Sequence, residues 1–214
     1  MSKTTWHITM SLDGFIAGPE HSMDWAFGHG DAPNSIADSV RTSTGAILAG
    51  RTWHDVAMER YDGVAGIYGG AWSGPVFVLT HRPDDQPGEG VTFISGSIED
   101  AIATTREGAG GRDIGVFGAT TAAQVLDAGL LDEIAVHVAP VLLGDGVRLY
   151  GSPAAERVAL ERVEVAASGQ LTSMPLPRRA LAAQSPGGCR TTKPRGERGS
   201  DVQRDPVSLS ALVS

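Results

Sequence analysis

The sequence predicts an α/β protein whose mainly parallel sheet is flanked by helices and ends in an antiparallel hairpin. Short apolar segments rich in β-branched residues alternate with helical stretches of about ten residues, which is typical of parallel sheets with helical crossovers. Glycine directly follows several of these segments, at the carboxyl ends of the strands, where such sheets bind their ligands. Two segments on either side of Ser168 and Gly169 predict the closing hairpin.

Six strands are predicted before that hairpin, at 4–10, 46–49, 75–80, 91–94, 113–117 and 133–141. The first strand alternates apolar and polar side chains, with Trp6 and Ile8 on one side and His7 on the other, which is the pattern of a half-buried strand. The second and third are almost wholly apolar, as expected for strands that are covered on both faces.

Helices are predicted after several of these strands. One begins after Gly50, one follows the N-cap candidate Ser97, and one spans 121–128 with Gly129 at its C-terminal end. The closing hairpin is predicted at 159–167 and 169–174. The order of elements therefore predicts one α/β domain.

Length and charge divide the chain of 214 residues into a domain and a tail. Residues 1–174 hold ten Lys and Arg against 22 Asp and Glu, a net charge of −12, whereas residues 175–214 carry +4. The last forty residues also contain five prolines, four glycines and no aromatic side chain. Such a segment buries too little apolar surface to fold, so we expect 1–174 to be the domain and 175–214 to be disordered.

Composition also excludes several functional classes. No apolar run approaches the roughly 18 residues of a membrane span, and no secretory signal begins the chain, so we expect a cytoplasmic protein without membrane contact. The single cysteine, Cys189, and the spacing of the six histidines predict no metal site. The basic residues of the tail are spread out without aromatic residues between them, which argues against nucleic-acid binding.

Two strand ends carry residues suited to phosphate. Gly50, Arg51 and Thr52 follow the second strand, and Thr80, His81 and Arg82 stand at the end of the third. A strand that breaks at glycine and enters a helix points backbone N–H groups at an anion, and arginine adds a fork that matches phosphate. The pair would suit a dinucleotide. The alternatives are an arginine that covers a turn and an exposed turn before Pro83.

A third strand end has the best composition for a pyrophosphate. Gly118, Ala119, Thr120 and Thr121 join a strand to a helix with small residues and two hydroxyl groups. The segment is neither a Rossmann fingerprint nor a P-loop. The alternative is an ordinary N-cap, in which Thr120 or Thr121 caps the helix over 121–128.

Asp13 and Trp25 are the candidate catalytic residues. Asp13 follows the first strand and could exchange a proton or hold a polar substrate group, and Trp25 could stack on a planar ring. An Asx-turn at Asp13 and core packing of Trp25 are the alternatives. His137 lies inside a predicted strand and is interpreted as a packed or exposed strand residue.

Several blocks together resemble the dihydrofolate-reductase-like family, in the branch that includes the reductase domain of bifunctional riboflavin-biosynthesis enzymes. The blocks are Ser11-Leu12-Asp13-Gly14-Phe15-Ile16-Ala17-Gly18, Met23-Asp24-Trp25, Ile47-Leu48-Ala49-Gly50-Arg51-Thr52, Val76-Phe77-Val78-Leu79-Thr80, Gly129-Leu130-Leu131-Asp132-Glu133-Ile134 and Ala139-Pro140-Val141-Leu142-Leu143-Gly144-Asp145-Gly146. The resemblance covers residues 4–174, and its last two blocks are the most specific.

The resemblance implies hydride transfer from NADPH to a small, pteridine- or pyrimidine-like molecule, in a protein that forms homodimers. It assigns the nucleotide to the residues of the three strand ends, Gly50 to Thr52, Thr80 to Arg82 and Gly118 to Thr121, with arginine at the 2′-phosphate. It places Asp13 and Trp25 at the nicotinamide and the substrate. The chain would hold the two reacting carbons together and exclude water.

Two departures from the family pattern reduce the range of substrates that the resemblance implies. The glutamate that helps the riboflavin-pathway reductases to hold a sugar phosphate is missing from the matching segment Val116-Phe117-Gly118, so a ribosyl phosphate substrate is not expected. The N-terminal pattern of dihydrofolate reductase proper is also missing. A non-catalytic protein that binds NADP(H) is the alternative to a reductase.

The C-terminal end departs most from the family pattern. Family members close with a strand that resembles Leu-Arg-Tyr-Arg-Val, whereas Met174 is followed here by Pro-Leu-Pro-Arg-Arg. One codon set for those five residues, CCG CTA CCG CGT CGC, reads Arg-Tyr-Arg-Val after loss of its first base. We therefore hypothesise a one-base frameshift near codon 175. A leucine codon other than CTA at position 176 in the gene would contradict it.

Overall fold

The computed structural model describes residues 2–29, 32–82, 86–151 and 157–179. Its strands are β1 Thr4–Ser11, β2 Phe15–Ala17, β3 Thr44–Gly50, β4 Val76–Leu79, β5 Val91–Ile94, β6 Asp113–Phe117, β7 Glu133–Ala139, β8 Val147–Arg148, β9 Ala166–Ser168 and β10 Leu171–Pro177. Its α-helices are α1 Ser35–Ser43, α2 Arg51–Arg60, α3 Ile98–Gly108 and α4 Ala119–Asp127, and short 3₁₀ segments lie at Pro19–His21, Asp24–Ala26 and Gly63–Gly70.

Eight strands form one sheet in the order β5-β4-β3-β6-β1-β7-β10-β9. The pairs from β5 to β7 are parallel, and β10 pairs antiparallel with both β7 and β9. The predicted fold class, a mainly parallel sheet with helices and an antiparallel C-terminal hairpin, is confirmed. A second small sheet, in which β2 pairs with β8, was not predicted from the sequence.

The sheet is covered on both faces, and β3 shows this directly. Ala46 and Leu48 belong to one core cluster, together with residues of α3 and α4. Ile47 and Ala49 point the other way, into a second cluster with Ile67. Because side chains alternate along a strand, a fully apolar strand requires two apolar environments.

Two of the helix starts follow the rules for N-caps. The Ser97 hydroxyl accepts from Asp100 N at 3.1 Å, as predicted, and the Asn34 side chain caps α1, a helix that the sequence analysis missed. The helix predicted at 121–128 begins at Ala119, because Gly118 adopts a φ of 91° and serves as its N-cap. The alternative of a Thr120 or Thr121 cap is therefore wrong.

The last strand extends beyond the domain boundary predicted at residue 174. Strand β10 continues through Pro177, where it pairs with Glu133 of β7, and Arg178 N donates to Asp132 O at 2.8 Å. The prolines of β10 do not interrupt its pairing with β7, because the N–H groups on that side come from Leu176 and Arg178. Residues 180–214, to which the predicted disorder mainly applies, lie outside the described residues.

The other strand of that hairpin is much shorter than the predicted 159–167. Strand β9 covers only Ala166–Ser168, and beyond it a single bridge joins Leu160 to Arg178. Within the described part of the chain, no helix is long and apolar enough to cross a membrane.

Candidate functional site

A cavity of about 910 Å³ lies at the carboxyl ends of the central parallel strands. Its lining includes all ten residues predicted to bind a nucleotide, namely Gly50 to Thr52, Thr80 to Arg82 and Gly118 to Thr121. These segments end β3, β4 and β6, which are neighbours in the sheet. The topology therefore brings together three strand ends that lie as far as 71 positions apart in the sequence.

The N-termini of α2 and α4 both open on this cavity. Gly50 and Gly118 are their N-caps, and no side chain among the described residues caps either helix. The first N–H groups of a helix have no partner within it and carry a partial positive charge. Two uncapped helix starts in one cavity are suited to anionic oxygens.

The two helix starts are packed tightly against each other. A Cβ atom added to Gly50 would lie 2.5 Å from the Thr121 hydroxyl oxygen, and one added to Gly118 would lie 3.3 Å from the Trp53 Cβ. Glycine is therefore required by close approach at Gly50 and by its positive φ at Gly118. The two sets of N–H groups consequently face the same small volume.

Two arginines extend this positive region, and they share one carboxylate. Arg51 Nε donates to Asp55 Oδ1 at 2.7 Å, its guanidinium lies 4.9 Å from the centre of the Phe93 ring, and Arg82 Nη2 is 4.0 Å from Asp55 Oδ2. Burial raises the pKa of Asp55, but hydrogen bonds from His54 and Arg51 outweigh it, and the net shift is downwards. Asp55 therefore stays charged and orients both arginines. Because the two arginines outweigh its single negative charge, this region of the cavity stays positive.

A different environment occurs at the other end of the cavity, where two histidines meet. His7 on β1 and His137 on β7 join through their Nε2 atoms at 2.5 Å, and Tyr68 Oη is 2.8 Å from His7 Nδ1. All three side chains line the cavity. We call this part of the cavity, with Asn34, the substrate end.

Hydrogen bonds continue from His137 into the protein. Its Nδ1 is 2.7 Å from the hydroxyl of Ser173, which is fully buried on β10, and Asn34 Nδ2 donates to the same hydroxyl at 3.0 Å. None of these residues was among the predicted site residues. The sequence does contain one indication of the group, because polar residues occupy the strand positions that face away from the first core cluster. Which of these side chains come into contact, however, depends on the register of β1, β7 and β10.

Both histidines are neutral at ordinary pH. Burial, with the nearby His137 as a second cause, lowers the pKa of His7 to about 3, and burial lowers the pKa of His137 to about 4. Burial also raises the pKa of Tyr68, against smaller opposite effects of Thr44 and Arg41, so the phenol keeps its proton. The substrate end is thus polar but uncharged.

Asp13, a predicted catalytic residue, is not among the residues that line the cavity. Its carboxylate accepts from the Ser11 hydroxyl at 2.6 Å, from Leu143 N at 3.1 Å and from Gly144 N at 2.7 Å. Asp13 therefore holds the turn after β1 against the loop after β7. These two segments lead into β2 and β8, from which Ala17 and Val147 line the cavity.

We expect Asp13→Asn to destabilise the protein at neutral pH and to lose this effect in acid. The Ser11 hydroxyl and the backbone N–H of Gly144, with that of Leu143, lower the pKa of Asp13 to about 2. The carboxylate therefore stabilises the fold above a pH of about 4, and its contribution disappears as the pH falls towards 2. Urea unfolding of both proteins from pH 7 to pH 2 checks this, and a difference independent of pH would contradict it.

Trp25 also lies outside the cavity lining. Its indole N–H donates to Ser22 O at 3.1 Å within the segment Asp24–Ala26, and its own carbonyl oxygen lies 2.8 Å from His29 Nε2. Met23 and Phe27, its neighbours in the same loop, do line the cavity. The hydrogen bonds of Trp25 therefore stabilise the loop that carries Met23 and Phe27.

The cavity has a marked charge pattern. We call the part of the lining that holds the residues predicted to bind a nucleotide the nucleotide end, and Arg51 and Arg82 belong to it. The lining includes no aspartate or glutamate among the described residues. No group of three His, Cys, Asp or Glu side chains in the described ranges is placed to hold a metal ion. The cavity therefore suits a ligand that is anionic at one end and uncharged at the other.

Comparison with known proteins gives sequence relatives. Residues 2–172 match the RibD C-terminal domain family. The uncharacterized protein YwjB of Bacillus subtilis strain 168 is 29% identical over 157 residues, which is 69% of this chain and 82% of that protein.

Solved structures share the fold. A protein of Shewanella sp. PV-4, designated a riboflavin biosynthesis protein, superposes with a TM-score of 0.70 at 24% identity, over 84% of this chain and all of that one. A pyrimidine reductase-like protein of Corynebacterium diphtheriae gives 0.59 at 14% identity, over 84% and 93% of the two chains. The bifunctional deaminase and 5-amino-6-(5-phosphoribosylamino)uracil reductase of Thermotoga maritima gives 0.58 at 14% identity, over 83% and 57%. The chain belongs to the RibD C-terminal domain family.

Proposed function

We propose that this protein is an NADPH-dependent reductase that acts on a small planar molecule without charge at its reacting end. The observation that carries the proposal is the cavity itself, which joins two uncapped helix N-termini and two arginines to a separate, uncharged substrate end. Membership of the family, and the reductase names of two structural neighbours, support the same reaction class.

The residues at the nucleotide end fit a dinucleotide phosphate. The N–H groups of Arg51 and Thr52 on α2 and those at the start of α4 would hold the pyrophosphate. Arg51 and Arg82 would hold the 2′-phosphate, because a guanidinium binds phosphate through paired hydrogen bonds. When bound, the nicotinamide would supply the hydride, and the aromatic side chains of Trp53 and Phe117, whose ring centres are 5.2 Å apart, would exclude water around it.

The substrate end fits a pteridine- or pyrimidine-like ring better than a sugar phosphate. The cavity places its two arginines at the nucleotide end, and the substrate end offers the neutral groups of His7, His137 and Asn34. Apolar walls from Ile8 and Leu171 complete it. No lysine or arginine among the described residues lines the substrate end, so we propose an acceptor that lacks a phosphate.

Fluorescence titration with NADPH and NADH tests the cofactor. We expect NADPH to quench Trp53, which lines the cavity, and to bind more tightly than NADH. Each of Arg51→Ala and Arg82→Ala should weaken NADPH binding by about 10- to 100-fold, because hydrogen bonds to charged groups contribute about 1.5–3 kcal/mol. NADH binding should change much less. Arg106→Ala, an exposed arginine on α3, is the matched control and should leave both affinities unchanged.

The outcome separates two functions. NADPH oxidation with any member of a panel of uncharged pterins, flavins and quinones supports the reductase. Tight NADPH binding without oxidation across the panel supports the alternative, a non-catalytic NADP(H)-binding protein. Equal affinity for NADPH and NADH would contradict the assigned role of the arginines. The homodimer implied by the family resemblance stays a prediction, which light scattering tests.

A further inference from the structure

The hydrogen bonds at the substrate end have a direction, and the Asn34 side chain sets it. Asn34 Oδ1 is committed to the N-cap of α1, where it accepts from Ala37 N at 3.0 Å. The amide nitrogen Nδ2 therefore faces Ser173 Oγ and, at 3.3 Å, His137 Nδ1. An amide nitrogen only donates, and the Ser173 hydroxyl that lies 2.7 Å from the same Nδ1 atom can donate to it as well, so we assign Nδ1 as the acceptor nitrogen of His137.

That assignment determines the next two hydrogen bonds. A neutral imidazole carries one proton, so His137 holds its proton on Nε2 and donates it to His7 Nε2. His7 is neutral for the same reason, and its own proton must then be on Nδ1. His7 therefore donates to Tyr68 Oη, 2.8 Å away.

The proton of the Tyr68 hydroxyl is consequently not used by His7. The oxygen accepts from His7, while the O–H points elsewhere, and both Tyr68 and His7 line the cavity. The other polar groups near the phenol are the charged Arg41 and Thr44, whose hydroxyl is hydrogen-bonded with Tyr68 and itself donates to Val40 O at 2.7 Å. Thr44 Oγ1 therefore accepts the Tyr68 proton in the absence of a ligand, and a substrate atom with a lone pair in the cavity would take its place as the acceptor.

We propose that Tyr68 is the catalytic proton donor of the reduction and that His7, held by His137 and Asn34, is its positioning residue. This inference rests on the proposed reductase function. Neither histidine nor Tyr68 was a candidate catalytic residue on sequence grounds.

The reduction balances with Tyr68 as its single proton donor. Reduction by NADPH adds a hydride to the acceptor carbon and leaves an electron pair on the neighbouring oxygen or nitrogen. The Tyr68 O–H bond breaks, a new O–H or N–H bond forms on the substrate, and a phenolate remains. The His7 Nδ1–H hydrogen bond stabilises that phenolate because hydrogen bonds to charged acceptors are the stronger ones. Water returns the proton after the product leaves.

The first test determines which ring nitrogen of His7 and of His137 carries the proton, and it needs no substrate. In the full-length protein labelled with ¹⁵N-histidine, we expect NMR to show His7 protonated on Nδ1 and His137 on Nε2. Asn34→Asp places a carboxylate opposite His137 Nδ1 and should reverse both tautomers. Wild-type His7 protonated on Nε2 would overturn the proposal, because Tyr68 would then donate to His7. This result is independent of NADPH binding, so it is distinguishable from failure of the proposed function.

The second test measures turnover with whichever panel compound is reduced. Tyr68→Phe should lower kcat by roughly 100-fold or more, the usual scale of general-acid catalysis, with NADPH affinity unchanged. His7→Gln should lower kcat less and leave KM for NADPH unchanged, while Tyr150→Phe, outside the cavity lining, is the matched control. A kcat of Tyr68→Phe within threefold of the wild type would overturn the proposal.

Discussion

Lowering the pH from 6.5 to 4 is expected to destabilise this protein steeply, because two buried histidines resist protonation in the native state. Burial, assisted for His7 by the neighbouring His137, lowers the two pKa values to about 3 and about 4. In the unfolded chain both groups take up protons near pH 6.5. The unfolded state therefore binds more protons throughout this window, and stability falls by roughly 1.4 kcal/mol per pH unit for each histidine.

Urea unfolding followed by tryptophan fluorescence at pH 7, 6, 5 and 4.5 measures this slope. His7→Gln and His137→Gln should each remove about half of it, since glutamine keeps a hydrogen-bonding side chain that does not titrate here. His81→Gln is the matched control because His81 is exposed. Should either buried variant fail to fold, calorimetry of the wild type in two buffers of different ionisation enthalpy counts the protons bound on unfolding. An uptake near zero at pH 5 would contradict the prediction.

Replacing residues 175–178 with Arg-Tyr-Arg-Val is expected to raise the melting temperature. Pro177 O accepts from Glu161 N at 2.9 Å, which shows that the odd-numbered residues of β10 turn their peptide groups towards 159–165. Pro175 and Pro177 have no N–H to offer on that side. The ladder with β9 accordingly stops at Ala166, and Val163 and Val165 are left 60% and 49% exposed.

Two restored donors should add about 1–3 kcal/mol and raise the melting temperature by about 5 °C. The changes Pro175→Arg and Pro177→Arg together should give most of this gain. Leu176→Tyr with Arg178→Val keeps both prolines and is the matched control, which separates the backbone donors from the side chains. Equal melting temperatures for the restored protein and the wild type would refute the argument and remove the physical support for a frameshift.

The meeting of the three strand ends in one cavity could be predicted from sequence, because each of these segments has a local pattern. A strand, a glycine and a helix start occur within a few residues at Gly50 and at Gly118, and parallel strands necessarily end at the same edge of a sheet. The fold class follows from the same local patterns. The long-range fact that Gly50 lies against Thr121 was not needed to identify either segment.

The substrate end could not be predicted, because its hydrogen bonds join β1, β7 and β10 across the sheet. His7 and His137 are 130 positions apart, and a shift of one residue in register would turn either side chain to the opposite face. For Asp13 the difficulty is the opposite one. Its local pattern suggested a strand-end carboxylate near a ligand, whereas its partners, Leu143 and Gly144, lie in a distant loop that no local pattern identifies.

The lack of carboxylates among the described cavity residues has a consequence for inhibitor design. A cationic head group would find no counterion there, and it would also lose its hydration on entering. Arg51 and Arg82 would repel such a compound at the mouth of the nucleotide end. A chemical screen against this protein should therefore start from neutral or acidic heterocycles, and basic scaffolds are poor starting points for its cavity.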